Sequence, residues 1–320
     1  MKITVLDAAT MGFDATAWSP LLTLGEVTLR DLTPYDAASI IAAGNGADVL
    51  VTNKVPITAE VLSALPQVKL VAVLATGYNT IDTAAARSHG VGVANVPAYS
   101  TEAVAQHTIA LIMALSNTVA QHDASIKHGD WCRSKVFSYW LTPVRDLAGL
   151  TLGLVGFGEI GRRVGAIGNA LGMRIMAQTR TPRNPPAWKG FQWADIATIF
   201  READIVSLHC PATPENRAFV NNELLATMKP DAYLINTARG VLIDEAALAN
   251  ALNHDHIAGA AVDVLSTEPP KADNPLLNAK HCVITPHIAW SSPNSRTRLL
   301  NETVANIIAY SRGERRNRVE

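Results

Sequence analysis

The sequence predicts an α/β protein made of two doubly wound parallel-sheet domains. Three observations predict it. Short apolar runs alternate with helix-like stretches from one end of the chain to the other, which is the pattern of βαβ units. A glycine-rich turn, GFGEIG, joins one such run to a helix at positions 156–161. The chain has 320 residues, 48% of them apolar, which is more than one typical domain needs and enough to fill two cores.

The first strand set reads ITVLD (3–7), EVTLR (26–30), ADVLVTN (47–53), KLVAVLAT (69–76) and VGVANV (91–96). Helical segments such as ITAEVLSAL and DTAAARSHG lie between its members, so these five strands make one small doubly wound domain. STEAVAQHTIALIMALSNTVAQHDASIKHG follows, with helical apolar spacing and Ser100 or Thr101 as its cap. It is long enough to join two domains. LAGLTLGLVGFGEIG then opens a second set: LTLGLVG (150–156), RIMAQT (174–179), DIVSLHC (204–210), AYLINTA (232–238), IAGAAVDV (257–264) and CVITPH (282–287). The C-terminal RTRLLNETVANIIAYSRG reads as one amphipathic helix. A cleft is expected between the two domains, with ligands beyond the carboxyl ends of the strands.

Composition excludes several classes. The net charge is −1 and no block of lysine and arginine occurs, so nucleic acid is not an expected partner. The basic cluster in SRGERRNRVE also carries two glutamates and reads as a solvated helix end. No apolar run reaches the ~18 residues of a membrane span, and the opening KITVLD reads as a strand rather than a signal peptide. Cys132, Cys210 and Cys282 form neither a metal pattern nor a disulfide framework, so a reducing, cytoplasmic setting is expected.

Gly156-Phe157-Gly158-Glu159-Ile160-Gly161 is a GxGxxG that follows an apolar strand and opens the helix RRVGAIGNALG, the context of a Rossmann dinucleotide site. Gly156 allows the tight turn, Gly158 lets the backbone approach a pyrophosphate, and Gly161 lets helix and strand pack. The helix N-terminus offers free N–H groups and a partial positive charge to the phosphates. The carboxylate that normally ends the second strand and binds the ribose 2′-OH of NAD is missing. Its place falls on Thr179, with Arg180 next. A hydroxyl and a guanidinium suit a 2′-phosphate, so NADP(H) is the preferred cofactor and NAD(H) the possible one.

Three strand ends of the second half carry ionisable residues. INTARG places Arg239 after the fourth strand, AVDVLSTEPP places Asp263 and Glu268 after the fifth, and TPHIAW places His287 after the sixth. In a parallel sheet these ends share one edge. An Arg to hold a carboxylate and polarise a keto oxygen, a His to supply a proton and a Glu to orient the imidazole make a set for reducing a 2-keto acid. The other histidines, among them His107, His122, His209, His254 and His256, read as solvated or structural.

Taken together, GFGEIG, CPATPEN, INTARGVLIDEAALANAL, AVDVLSTEPP, NPLL and TPHIAW resemble the D-isomer-specific 2-hydroxyacid dehydrogenases over nearly the whole chain. FSYW (137–140) and Trp290 after His287 look most like the glycerate dehydrogenase / hydroxypyruvate reductase branch. The resemblance implies a flavodoxin-like substrate domain, 1–99 plus 289–320, with the last helix returning to it, and a Rossmann domain over 100–288. It implies that Arg239, Glu268 and His287 are catalytic and that Thr76-Gly77 binds the substrate carboxylate through backbone N–H groups. Glu159 and Ile160 would contact the pyrophosphate, Thr179 and Arg180 the adenosine ribose, and Cys210, Pro211 and Asn216 the adenine side. Thr237 and Ala238 would lie near the nicotinamide ribose, Asp263 at the carboxamide, and Trp140 at a partner subunit's cleft in a homodimer. The implied reaction is NAD(P)H-dependent reduction of hydroxypyruvate or glyoxylate to the D-2-hydroxy acid. The alternatives are another D-2-hydroxyacid dehydrogenase, acting on D-lactate-, 2-ketogluconate- or phosphoglycerate-like substrates, and a nucleotide-sensing corepressor-like protein.

Overall fold

The computed structural model describes all residues, Met1–Glu320. They form two units, Met1–Ser100 with Ser291–Glu320, and Thr101–Trp290.

The first unit holds five parallel strands, β1 (Lys2–Val5), β2 (Glu26–Leu29), β3 (Val49–Thr52), β4 (Leu70–Val73) and β5 (Gly92–Ala94), in the order β2-β1-β3-β4-β5. This is the flavodoxin-like winding. β3 and β4 are VLVT and LVAV and are buried throughout, as strands covered on both faces must be. The helices α1 (Ser19–Leu22), α2 (Ala37–Gly44), α3 (Ala59–Ala64) and α4 (Thr83–Ser88) connect them. Asp36, Thr58 and Asp82 cap the last three by accepting from the third helical N–H. The final helix, Pro293–Ser311, packs on β4 and buries Leu299, Leu300, Val304 and Ile307.

The second unit holds seven parallel strands: β6 (Thr151–Val155), β7 (Arg174–Gln178), β8 (Gln192–Trp193), β9 (Ile205–Leu208), β10 (Tyr233–Asn236), β11 (Gly259–Val262) and β12 (Cys282–Ile284). Their order is β12-β11-β10-β9-β6-β7-β8. The winding reverses at β6, so the crevice between the ends of β6 and β9 is where a doubly wound sheet binds its ligand. The helices are α5 (Thr101–Asn117), α6 (Val119–Lys127), α7 (Glu159–Ala170), α8 (Ile196–Glu202), α9 (Asn222–Leu225) and α10 (Glu245–Asn253).

Two local expectations need correction. The second set has seven strands rather than six, because β8 is two residues long and shows no periodicity to read. The segment 100–129 is not one helix. Thr118 takes a left-handed conformation (φ 45°), and α5 and α6 meet at a 54° bend. No single helix is long and apolar enough to cross a membrane. α5 instead lies on β10 and β11 and buries Val104, Thr108, Leu111 and Ile112.

Candidate active site

The nucleotide turn follows β6. Gly156 has φ +99°, and a Cβ there would lie 2.6 Å from the Cys210 nitrogen and the His209 carbonyl carbon, so the turn passes hard against the end of β9. A Cβ on Gly161 would lie 2.2 Å from the Gly156 oxygen, which is why α7 can start so close to the strand. Gly158, the N-cap of α7, differs: no atom stands within 4 Å of a Cβ built there. The open cradle at the N-terminus of a 12-residue helix fits a dinucleotide pyrophosphate. Glu159 and Ile160 form the first turn over it. The Phe157 side chain points away. It is buried and packs among Trp188, Phe191 and Trp193 with ring centroids 5.4–6.2 Å apart, so only its backbone is left to the turn.

The end of β7 is followed by Thr179, half-buried, and Arg180, exposed, with no carboxylate next to them in sequence. In the loop after β9 the Glu215 carboxyl is held below its ordinary value, first by its hydrogen bonds, that of Thr213 foremost, and then by the Arg180 charge. Arg162 holds the loop beyond. Its guanidinium lies 4.7 Å from the Phe157 ring centroid and donates to the carbonyls of Arg183 (2.9 Å) and Asn184 (3.0 Å). At the end of β9, Cys210 is half-buried and burial pushes its thiol up. Pro211 is exposed. The Asn216 amide is engaged within its own loop, accepting from the Thr213 N–H and donating to the Pro211 carbonyl. Burial pushes the His209 imidazole down to about 3, so it is neutral, and one ring nitrogen lies 2.9 Å from the Ser207 hydroxyl. A neutral imidazole of this kind is no proton donor at pH 7.

Past β10, the buried Asn236 shapes the turn that carries Arg239. Its side chain accepts from the Ala238 N–H and donates to the Arg239 carbonyl. Thr237 is buried, and its hydroxyl pairs with that of Thr108 on α5 at 2.9 Å, leaving its backbone rather than its side chain to face the sheet edge. Gly240 is a contact point: a Cβ there would lie 1.9 Å from the Leu265 carbonyl carbon. The Arg239 turn therefore rests on the Leu265–Glu268 turn. In that turn Glu268 accepts from the Leu265 N–H with one oxygen (3.0 Å) and lies 2.7 Å from His287 Nδ1 with the other.

His287 and Glu268 are thus brought together, with their side chains 25% and 33% exposed. His287 has φ +55°, an uncommon conformation for a non-glycine residue. Asp263 holds it there. Its carbonyl accepts from the His287 N–H (2.8 Å), and its carboxylate accepts from the N–H groups of Ile288 and Ala289 and from the Thr285 hydroxyl. Burial pushes the Asp263 carboxyl up, but these bonds and that of His107 outweigh it and hold it below the usual range. The side chain is 1% exposed and faces the loop it organises. Asn236, Gly240 and Thr285 carry no signal in the sequence reading, and His107 reads there as solvated or structural. In the first unit, the Thr76 hydroxyl donates to the Val96 carbonyl and Asn95 donates to the Thr76 carbonyl, which anchors the Thr76-Gly77 loop by groups other than its N–H. Trp140 is 71% exposed.

Residues 109–289 match the family model described as "D-isomer specific 2-hydroxyacid dehydrogenase, NAD binding domain". A hydroxypyruvate reductase of Blautia hydrogenotrophica is 38% identical over 314 residues, 98% of either chain. A glycerate dehydrogenase of Methylorubrum extorquens is 39% identical over 283 residues, 88% of either chain. The crystal structure of an NADPH-dependent glyoxylate/hydroxypyruvate reductase from Sinorhizobium meliloti, in complex with NADP and malonate, superposes with a TM-score of 0.86 at 29% identity, covering 99% of this chain and 96% of that one. The oxidoreductase fold, the nucleotide turn and these relatives lead to one assignment: the chain belongs to the D-isomer-specific 2-hydroxyacid dehydrogenase family.

Proposed function

We propose that the protein reduces small 2-keto acids, hydroxypyruvate and glyoxylate, to D-2-hydroxy acids, with NADPH preferred over NADH. The observation that carries this reading is the 2.7 Å His287–Glu268 pair, which stands on the same sheet edge as the open cradle at Gly158. The names of the Blautia and Sinorhizobium relatives support the substrate class.

When bound along that edge, the nicotinamide supplies the hydride for the keto carbon. His287 gives its proton to the oxygen that gains charge, and Glu268 holds the ring by Nδ1 so that Nε2 faces the substrate. Arg239 stabilises the developing negative charge; removing a donor of this kind lowers turnover by ~10²–10³. Thr76 and Gly77 bind the substrate carboxylate. Gly156, Phe157, Gly158, Glu159, Ile160 and Gly161 would hold the cofactor's pyrophosphate, and Cys210, Pro211 and Asn216 its adenine side. Thr237, Ala238 and Asp263 would border the nicotinamide through their backbone, since the Thr237 hydroxyl and the Asp263 carboxylate face inward. Thr179 and Arg180 receive the 2′-phosphate. We also propose a homodimer. Support comes from the exposed apolar segment with Val136 (63%), Phe137 (89%) and Trp140 (71%), an extent of bare apolar surface that marks an interaction site.

Initial rates of NADPH and NADH oxidation with hydroxypyruvate, glyoxylate and pyruvate test the reading. The expected result is faster turnover with the first two acids and a kcat/KM favouring NADPH. A preference for NADH overturns the role of Arg180, and turnover of pyruvate alone overturns the substrate class.

A further inference from the structure

We propose that His107 is a positioning residue for the loop that carries His287. The inference rests on the reading of His287 as proton donor.

His107 projects from α5, and its Nε2 lies 3.0 Å from the Thr285 hydroxyl and 3.5 Å from an Asp263 carboxylate oxygen. Thr285 in turn lies 2.6 Å from that same oxygen. The proton positions follow from counting. Asp263 is ionised, since its carboxyl is held below the usual range, and it can only accept. The Thr285 hydroxyl has one proton, and it goes to Asp263. Toward His107 the hydroxyl must therefore accept, and His107 Nε2 must carry a proton. The chain runs from His107 Nε2–H to the Thr285 oxygen and from the Thr285 O–H to Asp263.

Asp263 then distributes this hold around the catalytic histidine. Its carboxylate binds the N–H groups of Ile288 and Ala289, and its carbonyl binds that of His287. These bonds maintain the left-handed backbone at His287, a conformation a non-glycine residue keeps only when its surroundings hold it. The accepting end of this chain is buried, with Asp263 at 1% exposure, while His107 and Thr285 are half-buried, so the oxygen of Asp263 depends on protein donors. Without the Nε2–H the Thr285 hydroxyl loses its donor and can turn toward another acceptor, and Asp263 Oδ1 is left with the Ile288 N–H alone. The loop loosens and the His287 ring loses its aim. The pyrophosphate cradle lies across β10 and β9 from this loop, and because α5 also packs on α7 the substitution must keep the ring volume.

The test uses His107→Phe, which keeps the ring volume and removes the donor, His107→Gln, which restores an N–H at similar reach, and His287→Asn as reference. The expected result for His107→Phe is a kcat lowered by ~10-fold or more, since misplacement of a reacting group by about 1 Å costs up to 10². Its NADPH Kd should stay within about twofold, and His107→Gln should recover most of the rate. Wild-type kcat in His107→Phe, with turnover abolished in His287→Asn, overturns this inference alone. Equal losses of rate, cofactor affinity and thermal stability in the Phe and Gln variants also overturn it, because they mark a packing role. Turnover retained in His287→Asn overturns the proton-donor reading and the inference with it.

Discussion

Gly158→Ala separates a ligand cradle from a merely glycine-rich turn. The added methyl meets no protein atom within 4 Å, and the residue has φ −79°, which alanine adopts freely. Alanine is a poorer N-cap than glycine, by about 0.5 kcal/mol, and it lowers the entropy of the unfolded chain, which acts in the opposite direction by ~0.4–1 kcal/mol. The net change in stability is therefore within ~1 kcal/mol, or less than about 4 °C in Tm. On the proposed reading the methyl would stand where backbone N–H groups meet the pyrophosphate. Losing one charge-assisted hydrogen bond costs ~1.5–3 kcal/mol, or roughly 10–150-fold in Kd. Gly161→Ala is the contrast. Its Cβ would lie 2.2 Å from the Gly156 oxygen, a backbone atom that cannot swing aside, so stability falls by ~1–3 kcal/mol as well. The assay is NADPH titration followed by the fluorescence of Trp188 and Trp193, which pack on Phe157 within the turn, alongside thermal unfolding of the same samples. A wild-type Kd in Gly158→Ala refutes the cradle. A loss of stability equal to that of Gly161→Ala refutes the steric reasoning.

Three further outcomes are expected. Arg180→Ala should raise the KM for NADPH by ~10-fold while leaving that for NADH within about twofold, because only the former has a 2′-phosphate to lose its guanidinium partner; steady-state kinetics with both cofactors decide it. Gly240→Ala should lower kcat by ~10² or more, because its Cβ would overlap the Leu265 carbonyl carbon and displace the turn that holds Glu268, and the test is turnover at saturating substrate beside far-UV circular dichroism. Asp204→Asn should destabilise the protein by ~1–2 kcal/mol at pH 7. Burial pushes the Asp204 carboxyl up, but Lys229 at 2.7 Å, the Thr151 N–H and Arg145 outweigh it and hold it below the ordinary value. A depressed folded pKa contributes stability that is fully present above the unfolded value of ~3.9 and is lost as the pH falls through the lower folded one. The difference between wild type and Asp204→Asn in urea unfolding should therefore be constant from pH 7 to about 5 and shrink below about 4.

Much of this architecture was legible in the sequence because buried parallel strands read as unbroken apolar runs. VLVT, LVAV and TLGLV are buried at every position. The pairing of β8 was not legible, since two residues carry no period. The bend at Thr118 was missed because a β-branched residue in a left-handed conformation follows from tertiary contacts, here those of its hydroxyl with His122 and Thr142, and not from local preference. At the nucleotide turn, the glycine spacing already contains the sterics that the structure displays at Gly156 and Gly161. Which way a strand-end side chain turns is another matter. Thr237 and Asp263 sit at the carboxyl edge, yet their polar groups face inward, to Thr108 and to the Thr285–Ala289 loop. His107 shows the same limit. Its spacing from Val104 and Leu111 places it beside the buried stripe of a helix, but nothing local reveals that its partner, Thr285, lies 178 residues away.

Keto-acid reduction with His287 as proton donor is the proposal on which the other roles depend. The most direct measurement is NADPH oxidation by hydroxypyruvate in wild-type and His287→Asn proteins, with NADPH Kd measured on both. Rapid turnover is expected in the wild type, with a loss of at least ~10² in kcat in the variant and Kd values within about twofold of each other. Comparable turnover in the two proteins, or none in a wild type that binds NADPH, would contradict the proposal.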